Sequence, residues 1–356
     1  MKRRAILTGG LALTAIMSGG DIAHASRGEF HVPAEEDPHE FTFMQWPASR
    51  KVHPDPDFLS LLQITISELA NAIAEFEPVV LLAASGDHAA AQRQVSSQVE
   101  LWDIPTEDLW CRDSGPIVVR AKDGRRAVRH IEFNGWGGRQ IHKRDGVIAE
   151  RAAERLGMPL LSTGLRGEAG GVEQDGHGLL IAHESSWVHE NRNPGLNRQE
   201  IETRLLDAYG ADRMLWTPGV RNEDITDYHI DSLARFTGPG RILLNLPDEP
   251  DRTDPFHAAA IETHDALVAA VLDVDVIPEP NHRRVRSYDF VASYANYYVC
   301  NGAVIAAQFG DTETDALAAN ALKRHFPSRE IVLLNVDALG EVGGGIHCAT
   351  HEVPAA

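Results

Sequence analysis

Amphipathic helical stretches and short apolar runs alternate along this chain from end to end, and that pattern constrains its fold more than any other. Between Phe58 and Phe76 the residues Leu59, Leu62, Ile66, Leu69, Ile73 and Phe76 recur at helical spacing behind Asp57, a candidate N-cap. Val79-Val80-Leu81-Leu82-Ala83 then follows as an uninterrupted apolar run of strand length. The succession returns further on. Helices are predicted near Asp145 to Leu156, Arg198 to Tyr209, Phe256 to Leu272 and Thr314 to His325, the last leading into a strand at Ile331 to Leu334. Strands alternating with helices over the whole length predict an α/β architecture. No repeat is visible by residue identity, although the spacing of predicted elements tolerates a strand-rich unit about every sixty residues, as ordinary domain spacing also would. Periodicity alone does not say how the sheet closes. Ser26 to Asp57, rich in Pro, His and Glu, reads as an extended lead-in, and Pro247 to Pro255 as a charged loop. With no tether to divide it, residues 26–356 are expected to form a single domain.

The amino terminus stands apart from this pattern. Lys2-Arg3-Arg4 precedes a modest apolar run from Ala5 to Met17, and Ala23-His24-Ala25 supplies a small-residue cleavage site before Ser26. Residues 1–25 therefore read as an export signal, of the twin-arginine kind because paired arginines lead into a core diluted by Gly9 and Gly10. Export to the periplasm or beyond is the expectation, with no stable membrane insertion once the signal is removed, since no later stretch is apolar enough to span a bilayer. The formal net charge of −19 argues against nucleic acid or anionic lipid as a partner and suits a cationic small molecule or a basic protein. Cys111, Cys300 and Cys348 are odd in number and lack paired spacing, which argues against a disulfide framework while leaving a Cys111–Cys300 pair open. Oligomeric state is not legible.

Two runs carry chemistry. Gly343-Gly344-Gly345-Ile346-His347-Cys348-Ala349-Thr350 offers a thiol behind three glycines, and Asp224-Ile225-Thr226-Asp227-Tyr228-His229-Ile230-Asp231 offers an imidazole among acids. A nucleophile, a general acid/base and carboxylates able to hold a cation are thus all present. Four further clusters follow short apolar strands, at Trp110 to Pro116, Phe133 to Gly138, Glu168 to Gly171 and Tyr294 to Asn301. Polar and glycine residues at strand ends are where a rigid scaffold commonly carries binding groups. A zinc site at His229-x-Asp231 fails on ligand count. A serine hydrolase fails for want of a G-x-S-x-G elbow, and a zinc nucleobase deaminase for want of C-x-x-C. No metal or other cofactor is called for.

Taken in order, these motifs resemble the agmatine deiminase and bacterial-type peptidylarginine deiminase family, over about Phe41 to Pro354. The match is W-x-R-D-x-G-P at Trp110 to Pro116, F-N-x-W-G-G at Phe133 to Gly138, a glutamate before glycines at Glu168, D-x-T-D-x-H-x-D at Asp224 to Asp231, and G-G-G-I-H-C at Gly343 to Cys348. Tyr294 to Asn301, continuing through Gln308 to Asp311, looks like a sixth family segment. The resemblance implies a pentein fold, five ββαβ-type units in a pseudo-fivefold α/β propeller with the active site in its central channel. It also implies metal-independent hydrolysis of a guanidino group to a ureido product and ammonia. At the matching positions, Cys348 would be the nucleophile, His229 the acid/base, and Asp113 and Asp231 the guanidinium clamps. Glu168 would partner His229 or the guanidinium, and Trp110, Trp136 and Asn296 would contact substrate, plain packing being the other reading of the two tryptophans.

Elementary chemistry leads the same way. A guanidinium is planar and resonance-stabilised, so its carbon becomes an electrophile only when the cation is fixed by paired charge-assisted hydrogen bonds. Two carboxylates near a thiol raise its pKa, and a bound guanidinium lowers it, so Cys348 is expected to become a thiolate mainly once substrate is present. Arg112 is expected to be structural, and Asp224 and Asp227 to be turn or cap residues. Tyr228, Ala169 and His351-Glu352 depart from the family pattern and bear on pocket shape; Glu352 near the nucleophile would suit a substrate ammonium. Agmatine, hydrolysed to N-carbamoylputrescine, is the expected substrate. Arginine in proteins or peptides is the alternative, and a non-catalytic guanidine- or polyamine-binding protein a third.

Overall fold

Each predicted helix forms, and each links two parallel strands. The computed structural model describes residues 28–285, 287 and 290–356, so the predicted signal at residues 1–25 lies outside the described residues. The helix Pro56–Ala74 is capped by Asp55 rather than Asp57: the Asp55 carboxylate accepts from the backbone N–H of Asp57 at 2.9 Å and of Phe58 at 3.3 Å, with Pro56 in the first turn. Arg198–Tyr209 has the predicted bounds, closed at its start by a reciprocal Asn197/Glu200 box and at its end by Gly210 at φ 65°. The helix predicted from Asp145 begins as a 3-10 turn and becomes α-helical over Ile148–Leu156. Pro255–Ala269 and Thr312–His325 complete the set, each capped by the aspartate before it.

One expectation is corrected. The lead-in from Ser26 to Asp57 contains two strands, Phe30–His31 and His39–Gln45, and the second is buried along nearly its whole length. Its Phe41, Phe43 and Met44 serve opposite faces of a central strand, a signal that the surrounding Pro, His and Glu residues mask.

The described strands make five sheets with one plan: an antiparallel pair, then a helix, then a third strand parallel to the second. Ile117–Ala121, Arg126–Glu132 and Leu160–Arg166 form one unit, with Phe30–His31 added at its edge. Val172–Gln174, Leu179–His183 and Arg213–Thr217 form the next. Ala234–Gly238, Arg241–Asn245 and Asp273–Ile277 follow, then Tyr298–Cys300, Ala303–Ala307 and Glu330–Leu334. The two ends of the chain build the fifth unit together: Thr350–Pro354 pairs antiparallel with His39–Gln45, which runs parallel to Val79–Ala83, and Val99–Asp103 lies outside.

Hydrogen bonds join each unit to the next and close the ring. They run from Arg166 N to Asn193 Oδ1 at 3.0 Å, from Phe236 N to Glu173 Oε2 at 3.4 Å, and between His325 Nε2 and Asp275 Oδ2 at 3.0 Å. The circuit ends with Asn301 Nδ2 to His39 O at 2.9 Å and Arg126 Nη1 to Pro354 O at 3.0 Å. This is the pentein propeller that the resemblance implied. Its plan has a direct consequence for chemistry, because the short segment entering the first strand of every unit is one of the singled-out motifs. Asp113 precedes Ile117, Glu168 precedes Val172, Asp231 precedes Ala234, Asn296 precedes Tyr298, and Cys348 precedes Thr350.

Candidate active site

Five segments far apart in sequence therefore meet at one end of the ring. The Cys348 thiol, half-buried, lies 3.5 Å from Asp231 Oδ2 and receives a hydrogen bond from Asn296 Nδ2 at 3.2 Å. Asn296 Oδ1 also accepts from the backbone N–H of His347 at 3.0 Å and of Cys348 at 3.4 Å, so one amide sets both the thiol and the loop that carries it. The glycines before the thiol have a steric reason: a Cβ at Gly344 would stand 2.5 Å from the Trp110 ring, and one at Gly345 2.4 Å from Asn296 Oδ1.

The His229 ring lies between two acids, Nε2 at 3.3 Å from Glu168 Oε2 and Nδ1 at 3.7 Å from Asp113 Oδ1. Burial alone would lower its pKa, but the charges of Asp113, Glu168 and Asp231 outweigh burial and raise it to about 9. Asp113 accepts from Trp136 Nε1 at 2.8 Å and from the Gly170 backbone at 3.3 Å. Burial, with Glu168 and Asp231 nearby, raises its pKa to about 6 against the pull of His229. Asp231 behaves oppositely: burial pushes it up, but a hydrogen bond from His347 and the charges of His347, His229 and Arg235 carry it below its ordinary value. Its Oδ1 is buried and finds no hydrogen-bond partner among the described residues. The thiol is held well above the ordinary range by burial and then by Asp231 and Asp113. At the centre of this group sits Gly170, where a Cβ would fall 2.9 Å from Asp113 Oδ1 and His229 Nδ1 and 3.1 Å from Asp231 Oδ2.

A second layer of charge holds the first. Arg192, with no exposed side-chain surface, donates from Nε to Glu168 at 2.9 Å and from Nη1 to Asp227 at 2.6 Å. Asp227 also takes Arg139 Nη2 at 2.9 Å and the Asn222 N–H at 2.8 Å. Asp227 and Tyr228 have φ of 60° and 65°, a strained pair of non-glycine residues directly before His229, and Trp136 is at φ 53°. Behind Asp231, reached through His347, Glu35 meets Arg235 at 2.8 Å, His347 at 2.9 Å and Arg112 at 3.2 Å, and Arg112 also meets Glu352 at 2.8 Å.

All eight singled-out residues come together. Trp136 does so through its indole N–H, whereas Trp110 packs against the glycine turn. Glu168 contacts His229 and Arg192. Asp224 is a turn residue as expected, accepting from Thr226 and Tyr228 N–H groups. Asp227 departs from the expected turn role, because its carboxylate is buried between two arginines that need it. Glu352 also departs from expectation: Arg112 occupies it, so it is no open counter-ion for a substrate ammonium. Cys111 and Cys300 are free and buried, and do not pair. Sequence reasoning missed Arg192, Glu35, Arg235 and His347. His347 alone had a signal, its place beside Cys348; the others lie in segments without motif character.

The fold and this constellation define a class, and comparison with known proteins names it. The family profile of the Porphyromonas-type peptidyl-arginine deiminase matches residues 31–354, and the chain belongs to that family. An agmatine deiminase of Medicago truncatula is 30% identical over 368 residues, covering 92% of this chain and 96% of its own. A Streptomyces coelicolor protein, named as a candidate agmatine deiminase, is 31% identical over 338 residues, covering 91% and 99%. The solved agmatine deiminase of Enterococcus faecalis superposes with a TM-score of 0.84 at 26% identity, covering 92% of this chain and 96% of its own.

Proposed function

We propose that the protein is a metal-independent guanidine hydrolase that converts agmatine to N-carbamoylputrescine and ammonia through a covalent intermediate on Cys348. One observation carries the reading: a thiol, an imidazole and three carboxylates from four separate units converge with neighbouring contacts of 3.3 to 3.7 Å. Asp113 and Asp231 grip the planar cation, whose charge lowers the thiol pKa so that the proton passes to solvent, leaving a thiolate to attack the central carbon. His229, protonated at neutral pH, donates to the departing nitrogen, which leaves as ammonia. The neutral imidazole then takes a proton from water as that water attacks the thiouronium carbon, releasing the ureido product and the thiol. Glu168 keeps His229 oriented and charged.

Relatives named for agmatine support the substrate choice, while the family's own description favours a second reading, arginine within peptides. A colorimetric ureido assay on agmatine, free arginine and an arginine-containing peptide separates them, with Cys348→Ala as the blank. Turnover of the peptide alone overturns agmatine as substrate. Measurable binding of agmatine with no product from any of the three favours a binding protein. Export by the twin-arginine route is supported by residues 1–25, and a mature amino terminus at Ser26 in the exported fraction tests it.

A further inference from the structure

We propose that His347 is a positioning residue for guanidinium binding, a buried bridge that fixes the Asp231 carboxylate so that its free oxygen addresses the substrate. The inference rests on the reading that the substrate carries a guanidino group. His347 is buried, with Nδ1 at 2.8 Å from Asp231 Oδ2 and Nε2 at 2.9 Å from Glu35 Oε2. Both partners are carboxylates, so making both bonds requires a proton on each ring nitrogen, the imidazolium form.

The far end of the bridge cannot drift. Arg112 and Arg235 hold Glu35 Oε2 at 3.2 and 2.8 Å, and the Val299 N–H donates to its Oε1 at 2.9 Å. Arg235 is itself anchored on Glu173 at 2.6 Å and on the Tyr297 carbonyl at 2.6 Å. A chain of charge-assisted bonds thus runs from two fixed arginines through Glu35 and His347 to Asp231. With Oδ2 committed to His347 and facing the thiol, Oδ1 is the oxygen left over, buried and without a partner among the described residues. An orphaned anionic acceptor beside a nucleophile is where a guanidinium N–H belongs.

The bridge also sets the charge of Asp231. Around this carboxylate stand His347, His229 and Arg235 as cations, Asp113 and Glu173 as acids, and the Cys348 thiol. Of these, His347 makes the shortest contact. A glutamine in its place can bond one carboxylate but brings no charge, so Asp231 is left to bind a proton more readily.

The test uses Cys348→Ser to stop turnover and compares it with Cys348→Ser/His347→Gln by calorimetric titration of agmatine, or of the arginine peptide if the wild-type chain turns over only that. Between pH 6 and 9 the double variant is expected to bind about 10- to 100-fold more weakly at the acid end, with the deficit shrinking as pH rises. Asp113 titrates in both proteins and cancels in the ratio. A deficit independent of pH, as a merely structural role produces, or no deficit, overturns the proposal. Should His347→Gln fail to fold by thermal melting, Cys348→Ser/His347→Asn, which likewise removes the ring charge and keeps one amide, gives the same comparison with the same pH trend. A wild-type chain that turns over no guanidino compound overturns the functional reading and this inference with it.

Discussion

Gly170 offers the sharpest test of the site, because a single methyl group there touches three chemical groups at once. Its Cβ would stand 2.9 Å from Asp113 Oδ1 and His229 Nδ1 and 3.1 Å from Asp231 Oδ2, about half an ångström inside an ordinary contact of about 3.5 Å. Gly170 does not use a left-handed φ, so Gly170→Ala adds crowding without backbone strain. Overpacking of this size costs about 1–3 kcal/mol, a loss of a few degrees in Tm. The effect on turnover is expected to be larger. Displacing reacting groups by up to about 1 Å costs about 100-fold in rate, and here the proposed acid/base and both proposed clamps must give way together. Gly171→Ala is the matched control: its Cβ would meet Trp187 Nε1 at 2.9 Å and Ser186 Oγ at 3.4 Å, comparable crowding directed away from the thiol. Steady-state ureido formation and thermal melting on both variants decide the matter. Similar melting losses with turnover lost only in Gly170→Ala are expected; turnover in Gly170→Ala within tenfold of wild type, or an equal loss in Gly171→Ala, refutes the reasoning.

Removing Arg192 leaves Glu168 and Asp227 buried without their shared cation, and Arg192→Met is expected to destabilise the fold by about 3–5 kcal/mol in urea denaturation. Since His229 is raised to about 9, above its unfolded value, the stability it contributes is fully present below pH 6.5 and lost as pH rises through 9. Between pH 7 and 9.5 that loss is about 2 kcal/mol, and His229→Gln is expected to remove about that much of the pH dependence of the unfolding free energy measured by urea denaturation. Asp113→Asn is expected to abolish turnover yet speed alkylation of Cys348 by iodoacetamide at pH 8, because one of the charges that suppress the thiolate is gone; an unchanged alkylation rate counts against the electrostatic account.

The fold was legible wherever periodicity reports on one buried face, and obscure where it does not. Leu62, Ile66, Leu69 and Ile73 announce their helix because only one side of it is buried. His39–Gln45 is buried on both faces, so it shows no alternation, and its partner Thr350–Pro354 lies at the other end of the chain. Local pattern holds no record of such a pairing. The site divides the same way. Asp113, Glu168, His229, Asp231, Asn296 and Cys348 each sit in a motif, since each must occupy a fixed place before the first strand of a unit. Arg192 and Glu35 act through long side chains that reach the site from ordinary loops, and only the folded ring reveals what they touch. Asp227 was visible but misread, because a turn aspartate and an aspartate buried between two arginines look alike in sequence.

The division between paired and unpaired charge explains why the thiol, well above its ordinary pKa, is no handicap. In the outer layer every acid has its cation: Glu168 and Asp227 share Arg192, Glu35 and Glu352 share Arg112, and Glu173 meets Arg235. In the inner layer Asp113 is raised to about 6, Asp231 keeps a free oxygen, and Cys348 is suppressed by both acids. Burial is the first cause of the raised Asp113 and Cys348, and on the proposed reaction one entering guanidinium would offset it by completing the ionisation of Asp113, occupying Asp231 Oδ1 and lowering the thiol. Binding and thiolate formation would then be a single linked event. On the proposed reaction, a small neutral electrophile would meet a sluggish thiol, whereas a flat cation would create its own nucleophile on arrival, so selectivity would arise in the same charge balance that drives the chemistry.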